Sequence, residues 1–288
     1  DNTFINILNA LRIGEMRIEH IAELMKHVTK DFVDEFSIEK AIRIYPTRKQ
    51  VDSHNNAVTE HFRRKGTKMF TILAQDSIID ANRVYTTAEL EKIIPTDINK
   101  TGGLPKELTL YIGAKIMIRS NLDVAKKLVN GSIGIITEII WPNFRRDQVS
   151  PTDVPSVRVE FERGVGNHLI TPVIKEFKAL GSYGTNERRM LPMVLCYAAT
   201  VHKMQGGTLD HAVISLSKLF AKGQAYVSLS RVRSLEGLRI EDLDAAMLTG
   251  HKPCNTLALE ELERMRKLPD DQAPLNVEPT QQDQESSK

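Results

Sequence analysis

Polar donors and glycines follow an apolar run in the last third of the chain. Residues 193–199 are almost all apolar, residues 200–203 then supply a hydroxyl, an imidazole and an ammonium group, and Gly206 and Gly207 come next. A buried strand that ends in such a turn presents backbone N–H groups at the carboxyl edge of a sheet, with no bulky side chain in the way. Because open α/β folds bind phosphate groups at that edge, the segment predicts a phosphate site.

A second cluster combines a short helical pattern with arginines. Gln224, Tyr226 and Leu229 lie at helical spacing, and Arg231 and Arg233 follow them. An arginine that reaches a nucleotide from outside its phosphate-binding loop can stabilise the charge that develops during phosphoryl transfer. The two clusters together therefore indicate nucleotide chemistry.

In combination, the two clusters resemble motifs V and VI of superfamily-one DNA helicases. Thr-Val-His-Lys-Met-Gln-Gly-Gly-Thr-Leu-Asp spans 200–210, and Gln-Ala-Tyr-Val-Ser-Leu-Ser-Arg spans 224–231. The pair is most similar to the petite-integration-frequency (PIF) helicases, and the resemblance runs from residue 1 to about residue 243. The chain contains no Gly-x-x-x-x-Gly-Lys-[Ser/Thr] phosphate loop. The resemblance therefore implies the C-terminal half of a motor whose other half carries that loop.

The resemblance also implies a role for individual residues. Arg231 is expected to act as the catalytic residue that contacts the γ-phosphate. The residues expected to bind ATP are Gln205, Gly206, Gly207, Arg48 and Gln224. The residues expected to bind DNA are Thr47, Thr200, His202, Lys203 and Asn130. The implied cofactor is ATP with Mg²⁺ held mainly by the missing N-terminal motor domain, and no metal site is expected in this chain.

Simpler structural roles remain open for several of these side chains. Thr47 is also well placed to cap a helix, and Arg48 to be solvated. His202 fits a helix start, Lys203 fits a surface charge, and Gln224 fits packing. Gly207 fits plain turn geometry, which does not exclude close approach to a ligand.

A strand, a polar turn and a helix are predicted near the N-terminus. Residues 41–45 are β-prone, Pro46 breaks the strand, and a long helix is predicted from about residue 49 to residue 65. The stretch Tyr-Pro-Thr-Arg in this unit resembles helicase motif IV, which opens the second RecA-like domain.

The pattern changes to consecutive short strands with glycine turns after about residue 103. Strands are predicted over 108–118, around the Asn-Gly turn at 130–131, and over 157–161 and 169–173. The resemblance implies that these strands form an SH3-like barrel inserted into a RecA-like, P-loop NTPase-type parallel sheet domain. We expect residues 1–38 to be a helical segment from the end of the first motor domain, and residues 39–103 and 176–250 to form the second RecA-like domain. Residues 104–175 are expected to form the barrel, residues 251–268 a C-terminal helix, and residues 269–288 a disordered tail.

Bulk composition limits the class of protein. Apolar residues make up 41% and charged residues 26% of the chain, which fits a soluble globular protein. A net charge of only +2 means that nucleic acid must bind a local basic surface. Two cysteines provide no disulfide framework. The chain begins with Asp, so we expect the natural protein to extend further, and we expect an intracellular location, nuclear or mitochondrial in a eukaryote, without membrane association.

The function implied is the motor half of an ATP-dependent 5′-to-3′ DNA helicase that moves on single-stranded DNA in repair, recombination or telomere maintenance. Its partners are single-stranded DNA and the missing N-terminal RecA-like domain, and the isolated chain is expected to be inactive. Two alternatives stay open: a non-catalytic nucleic-acid-binding helicase remnant, and a RecD-like subunit of a recombination nuclease.

Overall fold

The computed structural model describes residues 2–79, 85–181, 184–204, 207–249 and 256–266. The residues Gln205 and Gly206 and the tail predicted over 269–288 lie outside these ranges. The helices within them are α1 (Asn2–Ile13), α2 (Ile18–Met25), α3 (Arg48–Arg64), α4 (Thr87–Ile93), α5 (Gln224–Leu229) and α6 (Thr256–Arg266). No helix in the described part of the chain is long and apolar enough to cross a bilayer.

The strands of the described residues alternate with these helices at both ends of the chain and follow one another in its middle. They are β1 (Ile42–Tyr45), β2 (Phe70–Leu73), β3 (Gln75–Ile78), β4 (Glu107–Leu110), β5 (Lys115–Ile118), β6 (Ile133–Ile140), β7 (Ser156–Phe161), β8 (Gly166–Ile170), β9 (Val173–Lys178), β10 (Thr185–Met190), β11 (Met193–Leu195), β12 (Ala198–Thr200), β13 (Ala212–Leu216) and β14 (Leu238–Leu243).

A parallel sheet has the strand order β12-β1-β13-β14. Strands β1 and β13 are buried along their whole length, as expected of a parallel sheet that is covered on both faces. The apolar side of α1 packs onto this sheet together with α2 and α5. The core residues that these helices contribute are Phe4, Ile7, Leu11, Leu24, Ala225 and Leu229.

The middle of the chain forms antiparallel sheets. One has the order β11-β5-β6-β7-β8, a second has the order β3-β10-β9, and β2 pairs with β4. Strands before residue 104 and after residue 175 therefore pair with strands that lie between them. Their shared core surrounds Tyr111, Trp141 and Tyr197.

Two strands predicted as continuous are broken in the structure. The run 108–118 divides at a turn where Tyr111 is fully buried and Gly113 has a φ of 89°. The stretch 169–173 spans the end of β8 and the start of β9, because Pro172 lacks the N–H group that a ladder requires.

The apolar run 193–199 is also two strands rather than one. Strand β11 pairs antiparallel with β5, whereas β12 pairs parallel with β1. Between them, the Cys196 N–H donates to the carbonyl of Lys115 at 2.9 Å, and the Tyr197 carbonyl accepts from the N–H of Arg43 at 2.9 Å. The chain thus crosses from one sheet to the other at these two residues.

Asn55 of α3 fixes that crossing. Its Oδ1 accepts hydrogen bonds from the N–H groups of Tyr197 at 3.1 Å and Ala198 at 2.9 Å. Its Nδ2 donates to the Ala198 carbonyl at 3.4 Å. Asn55 therefore joins helix α3 to the start of strand β12.

A buried ion pair joins β10 to β3. The Nε and Nη2 atoms of Arg188 lie 2.7 and 2.9 Å from the two carboxylate oxygens of Asp76, directly across the strand ladder. The Arg188 side chain is 2% exposed, and its Nη1 donates to the Leu104 carbonyl at 3.1 Å. Because the guanidinium is almost fully removed from water, its charge depends on this one carboxylate.

Candidate nucleotide and nucleic-acid site

The carboxyl ends of β1 and β12 lie side by side. The two strands are parallel, and Tyr45 is opposite Thr200 in the ladder. Because side-by-side parallel strands end at the same edge, the residues that follow them emerge next to each other. The turn 46–48 that resembles motif IV and the short helical turn Val201–Met204 are therefore neighbours.

A cavity of about 520 Å³ opens at this edge of the parallel sheet. It brings together the four side chains from this edge that were predicted to bind DNA, and also Arg48, which was predicted to bind ATP. Its lining residues are Pro46, Thr47, Arg48, Asn99, Arg119, Thr200, His202, Lys203 and Phe220. Within it His202 is exposed, whereas Thr200 is only 8% exposed.

Thr47 and Arg48 have structural contacts at this edge. The Thr47 Oγ1 accepts from the N–H of Gln50 at 3.4 Å, so the helix-capping role left open for Thr47 is present. Arg48 is exposed, and its Nη1 lies 3.4 Å from Oδ1 of Asp97. The pKa of Asp97 is lowered first by a hydrogen bond from the Asn99 N–H and then by Arg48.

Three cations crowd the cavity. The pKa of Lys203 is lowered, first by burial and then by the positive charges of Arg119 and Arg48. The pKa of Arg119 is lowered as well, again first by burial and then by Arg48. Its buried Nε has no hydrogen-bond partner among the described residues. A bound anion would relieve this mutual repulsion, so the cavity favours phosphate.

Asn130 lines a second cavity, of about 490 Å³. Lys203, Met204 and Gly207 lie on the wall formed by the motif V segment, and Asn130 lies on the wall formed by the turn before β6. The N–H of Asn130 donates to Oδ1 of Asn121 at 2.9 Å, which fixes that turn. Lys203 lines both cavities, so the two open on the same side chain.

Arg231 lies just after α5 and is half-buried. Its Nη1 donates to the carbonyls of Met204 at 3.3 Å and Gly207 at 3.1 Å. Its Nε donates to the Val227 carbonyl at 2.9 Å, and its Nη2 donates to Oγ of Ser230 at 2.9 Å. No carboxylate pairs with it in the part of the chain that the structure describes. The guanidinium is thus held beside the motif V turn by neutral acceptors and keeps an uncompensated charge.

Gln224 and Gly207 make backbone contacts. Gln224 is 4% exposed, and its Oε1 accepts from the N–H groups of Phe220 at 3.0 Å and Ala221 at 3.3 Å. The packing role left open for Gln224 is therefore present. The Gly207 N–H donates to the Met204 carbonyl at 3.0 Å, and a Cβ at Gly207 would lie 3.3 Å from that carbonyl oxygen.

One side chain lies elsewhere than the sequence predicted, and two residues of the cavity were not predicted from the sequence. The basic residues of the predicted barrel, Lys115 among them, are candidates from the sequence for contact with single-stranded DNA. Lys115 is instead 9% exposed and donates to the Lys40 carbonyl. Asn99 and Phe220 line the cavity without having been predicted. The flanking lysines in Lys-Leu-Phe-Ala-Lys (218–222) were a signal for Phe220. Asn99 lies in a polar linker whose sequence carries no such signal.

Several proteins that are similar to this chain are Pif1 helicases. Residues 96–139 match the family model described as DNA helicase Pif1, 2B domain. The "ATP-dependent DNA helicase PIF1" of Danio rerio is 31% identical over 256 residues, which cover 88% of this chain and 35% of that protein. The protein of the same name from Xenopus laevis is 31% identical over 85% of this chain and 34% of its own length. The chain thus spans about a third of the length of these relatives.

Solved structures resemble the fold. The Pif1 helicase from Candida albicans superposes with a TM-score of 0.67 at 21% identity, covering 92% of this chain and 58% of that one. The Pif1 helicase from Bacteroides, in complex with ADP-AlF3 and ssDNA, gives 0.61 at 23% identity over 92% of this chain and 53% of its own. At these identities the likeness concerns the RecA-like fold.

Proposed function

From the premise that this chain belongs to the Pif1 family of DNA helicases, we propose that it forms one lobe of an ATP-dependent motor that moves 5′-to-3′ along single-stranded DNA. The other lobe carries the phosphate loop and most of the Mg²⁺ ligands. ATP binds between the lobes, and DNA lies across both. The observation that carries this proposal is the cationic cavity in which motif IV and motif V residues converge.

The lobe binds DNA on one side of the motif V segment and contacts the nucleotide on the other. On one face Thr47, Thr200, His202 and Lys203 bind DNA phosphates, which positions the strand without reading its sequence. On the other, Arg231 contacts the γ-phosphate, and Gln205, Gly206 and Gly207 bind ATP as well. Its hydrogen bonds to the carbonyls of Met204 and Gly207 support this division, because they tie the arginine to the turn that bears Lys203. A change at the nucleotide is thereby transmitted to the DNA contacts.

Two further expectations belong to the same proposal. Residues 104–175 form an SH3-like barrel, and Asn130 on the turn before β6 contacts the single-stranded DNA from the barrel side. Arg48 takes part in DNA binding as well as ATP binding, since it lines the same cavity as Lys203. A non-catalytic DNA-binding remnant would share the DNA contacts but would not hydrolyse ATP when joined to its other lobe.

Lys203→Ala is expected to weaken binding of an oligothymidine to this chain and to lower its salt dependence. Each lost phosphate contact on single-stranded DNA reduces the slope of log K against log salt by about 0.7. Fluorescence anisotropy titrations at several salt concentrations measure that slope. Lys26→Ala is the matched control, because Lys26 is exposed and paired with Glu23 at 2.6 Å, away from the cavity. An unchanged slope for Lys203→Ala would remove Lys203 from the DNA site.

A further inference from the structure

Phe220 is an exposed aromatic side chain at a place where packing does not require one. It lies in the segment 217–223 between β13 and α5, and 67% of its surface is exposed. Lys218 and Lys222, on either side of it, are exposed as well. The segment therefore presents an apolar ring between two positive charges.

The ring lies beside the cations of the cavity. Phe220 lines the same 520 Å³ space as Arg119, His202 and Lys203, although it comes from a different connection of the parallel sheet. An apolar side chain contributes nothing to holding phosphate. The ring of Phe220 does provide a flat apolar surface for an organic group whose phosphate is bound in the cavity.

The backbone that carries Phe220 is fixed. The buried Gln224 accepts hydrogen bonds from the N–H groups of Phe220 and Ala221. Lys218 and Gly223 have left-handed φ values of 56° and 76°, so the segment turns tightly at both ends. Ser217 Oγ donates to Asp242 of β14, which anchors the first of these turns. The backbone that bears the ring is thus held beside the cavity by contacts within the chain.

We propose that Phe220 stacks on a base of the single strand whose phosphates bind in the cationic cavity. This inference rests on the proposed function, because it takes the strand as the ligand. In single-stranded DNA each phosphate is followed by a nucleoside with its base. When phosphates of the DNA bind Lys203 and Arg119, the adjoining bases therefore lie near Phe220, which lines the same cavity. Every base has a π face, so an aromatic ring there holds any base with little sequence preference. Gln224 acts as a positioning residue for this contact.

The test compares an oligothymidine with an abasic strand of the same length, which keeps the phosphates and lacks the bases. The wild-type chain is expected to prefer oligothymidine. In Phe220→Ala that preference is expected to fall by about tenfold, since one stacked base contributes that much on substitution by alanine. Affinity for the abasic strand is expected to stay within about twofold of wild type, since the phosphate contacts are intact.

Two variants separate stacking from a change in the fold. Phe220→Trp is expected to keep the preference for oligothymidine, and its added indole fluorescence to be quenched by oligothymidine but not by the abasic strand. The single native tryptophan, Trp141, is 5% exposed and provides the reference signal. Val149→Ala truncates a similarly exposed apolar side chain, at 73%, on the antiparallel part of the molecule, and it is expected to leave the preference for oligothymidine unchanged.

The possible results separate DNA binding by this chain from base stacking by Phe220. If the wild-type chain binds neither strand, the proposed function fails and the stacking contact fails with it. If it binds both strands equally, or if Phe220→Ala keeps the full preference for oligothymidine, stacking by Phe220 is overturned while DNA binding stands.

Discussion

Replacing Arg231 by alanine is expected to lower DNA-stimulated ATP hydrolysis by about 10³-fold or more in protein that contains both motor lobes. The loss arises because the transferred phosphoryl group gains charge on its outer oxygens in the transition state, and Arg231 is the cation that this lobe supplies. DNA binding is expected to change little, because Arg231 does not line the cationic cavity. A coupled ATPase assay and a DNA titration on the same preparation measure the two effects.

The local contacts of Arg231 make a stability control necessary. Its guanidinium donates to the carbonyls of Met204, Gly207 and Val227, and each lost hydrogen bond costs about 1 kcal/mol. The midpoint of thermal unfolding therefore has to be measured for the variant. Arg231→Lys keeps the positive charge but loses the planar fork, and it is expected to be nearly as inactive as the alanine variant.

Arg233→Ala is the matched control for the Arg231 variant. Arg233 is only two residues further along, is 65% exposed and pairs with the exposed Asp210 at 3.2 Å. We expect its removal to leave hydrolysis within about twofold of wild type, because exposed ion pairs contribute little. Hydrolysis by Arg231→Ala at a tenth of the wild-type rate or more would exclude the catalytic role of Arg231.

The second large effect concerns stability. Arg188→Met is expected to lower the free energy of unfolding by about 3–5 kcal/mol, since it leaves the partly buried carboxylate of Asp76 without its partner. The double variant Arg188→Met with Asp76→Leu is expected to recover most of that loss, because two apolar side chains replace the pair. Denaturant unfolding of the purified chain, followed by circular dichroism, measures both values.

The neighbouring arginine provides the control for Arg188. Arg189 is half-exposed, and its Nη1 donates to the Gln75 side chain at 3.0 Å. Arg189→Met is expected to change the free energy of unfolding by less than about 1 kcal/mol, because its charge stays in contact with water. A loss of that same small size for Arg188→Met would show that the ion pair does not hold β3 to β10.

Local patterns were sufficient to predict β1 and α3 at the start of the parallel sheet. β1 and α3 begin and end within a residue of their predicted limits, because Pro46 breaks the strand and Thr47 caps the helix. These signals depend on neighbouring residues only and are therefore visible in the sequence.

The division of strands between sheets was not predictable in the same way. β11 and β12 form one apolar run in the sequence, and the crossing at Tyr197 depends on Asn55, which is far away along the chain. Residues 193–199 are almost all apolar, so hydrophobicity does not mark the break between the two strands. Each of the two strands belongs to the sheet of its distant partner, which is β5 for β11 and β1 for β12.

The candidate site likewise contains some features that the sequence predicted and others that only the structure shows. Thr47, Thr200, His202 and Lys203 were selected by motif resemblance, and they line one cavity because β1 and β12 are neighbours in a parallel sheet. The exposure of Phe220 and the electrostatic coupling of Arg119 to Lys203 depend on tertiary placement. No spacing rule within a single segment contains that information.

The most direct test of the two-lobe proposal is ATP hydrolysis by this chain alone, with and without single-stranded DNA, beside the same chain joined to the phosphate-loop lobe of its natural protein. We predict that the chain alone shows no DNA-stimulated turnover and that the joined protein hydrolyses ATP when DNA is added. DNA-stimulated hydrolysis by the chain alone would contradict the proposal, because the chain would then hold a complete nucleotide site of its own.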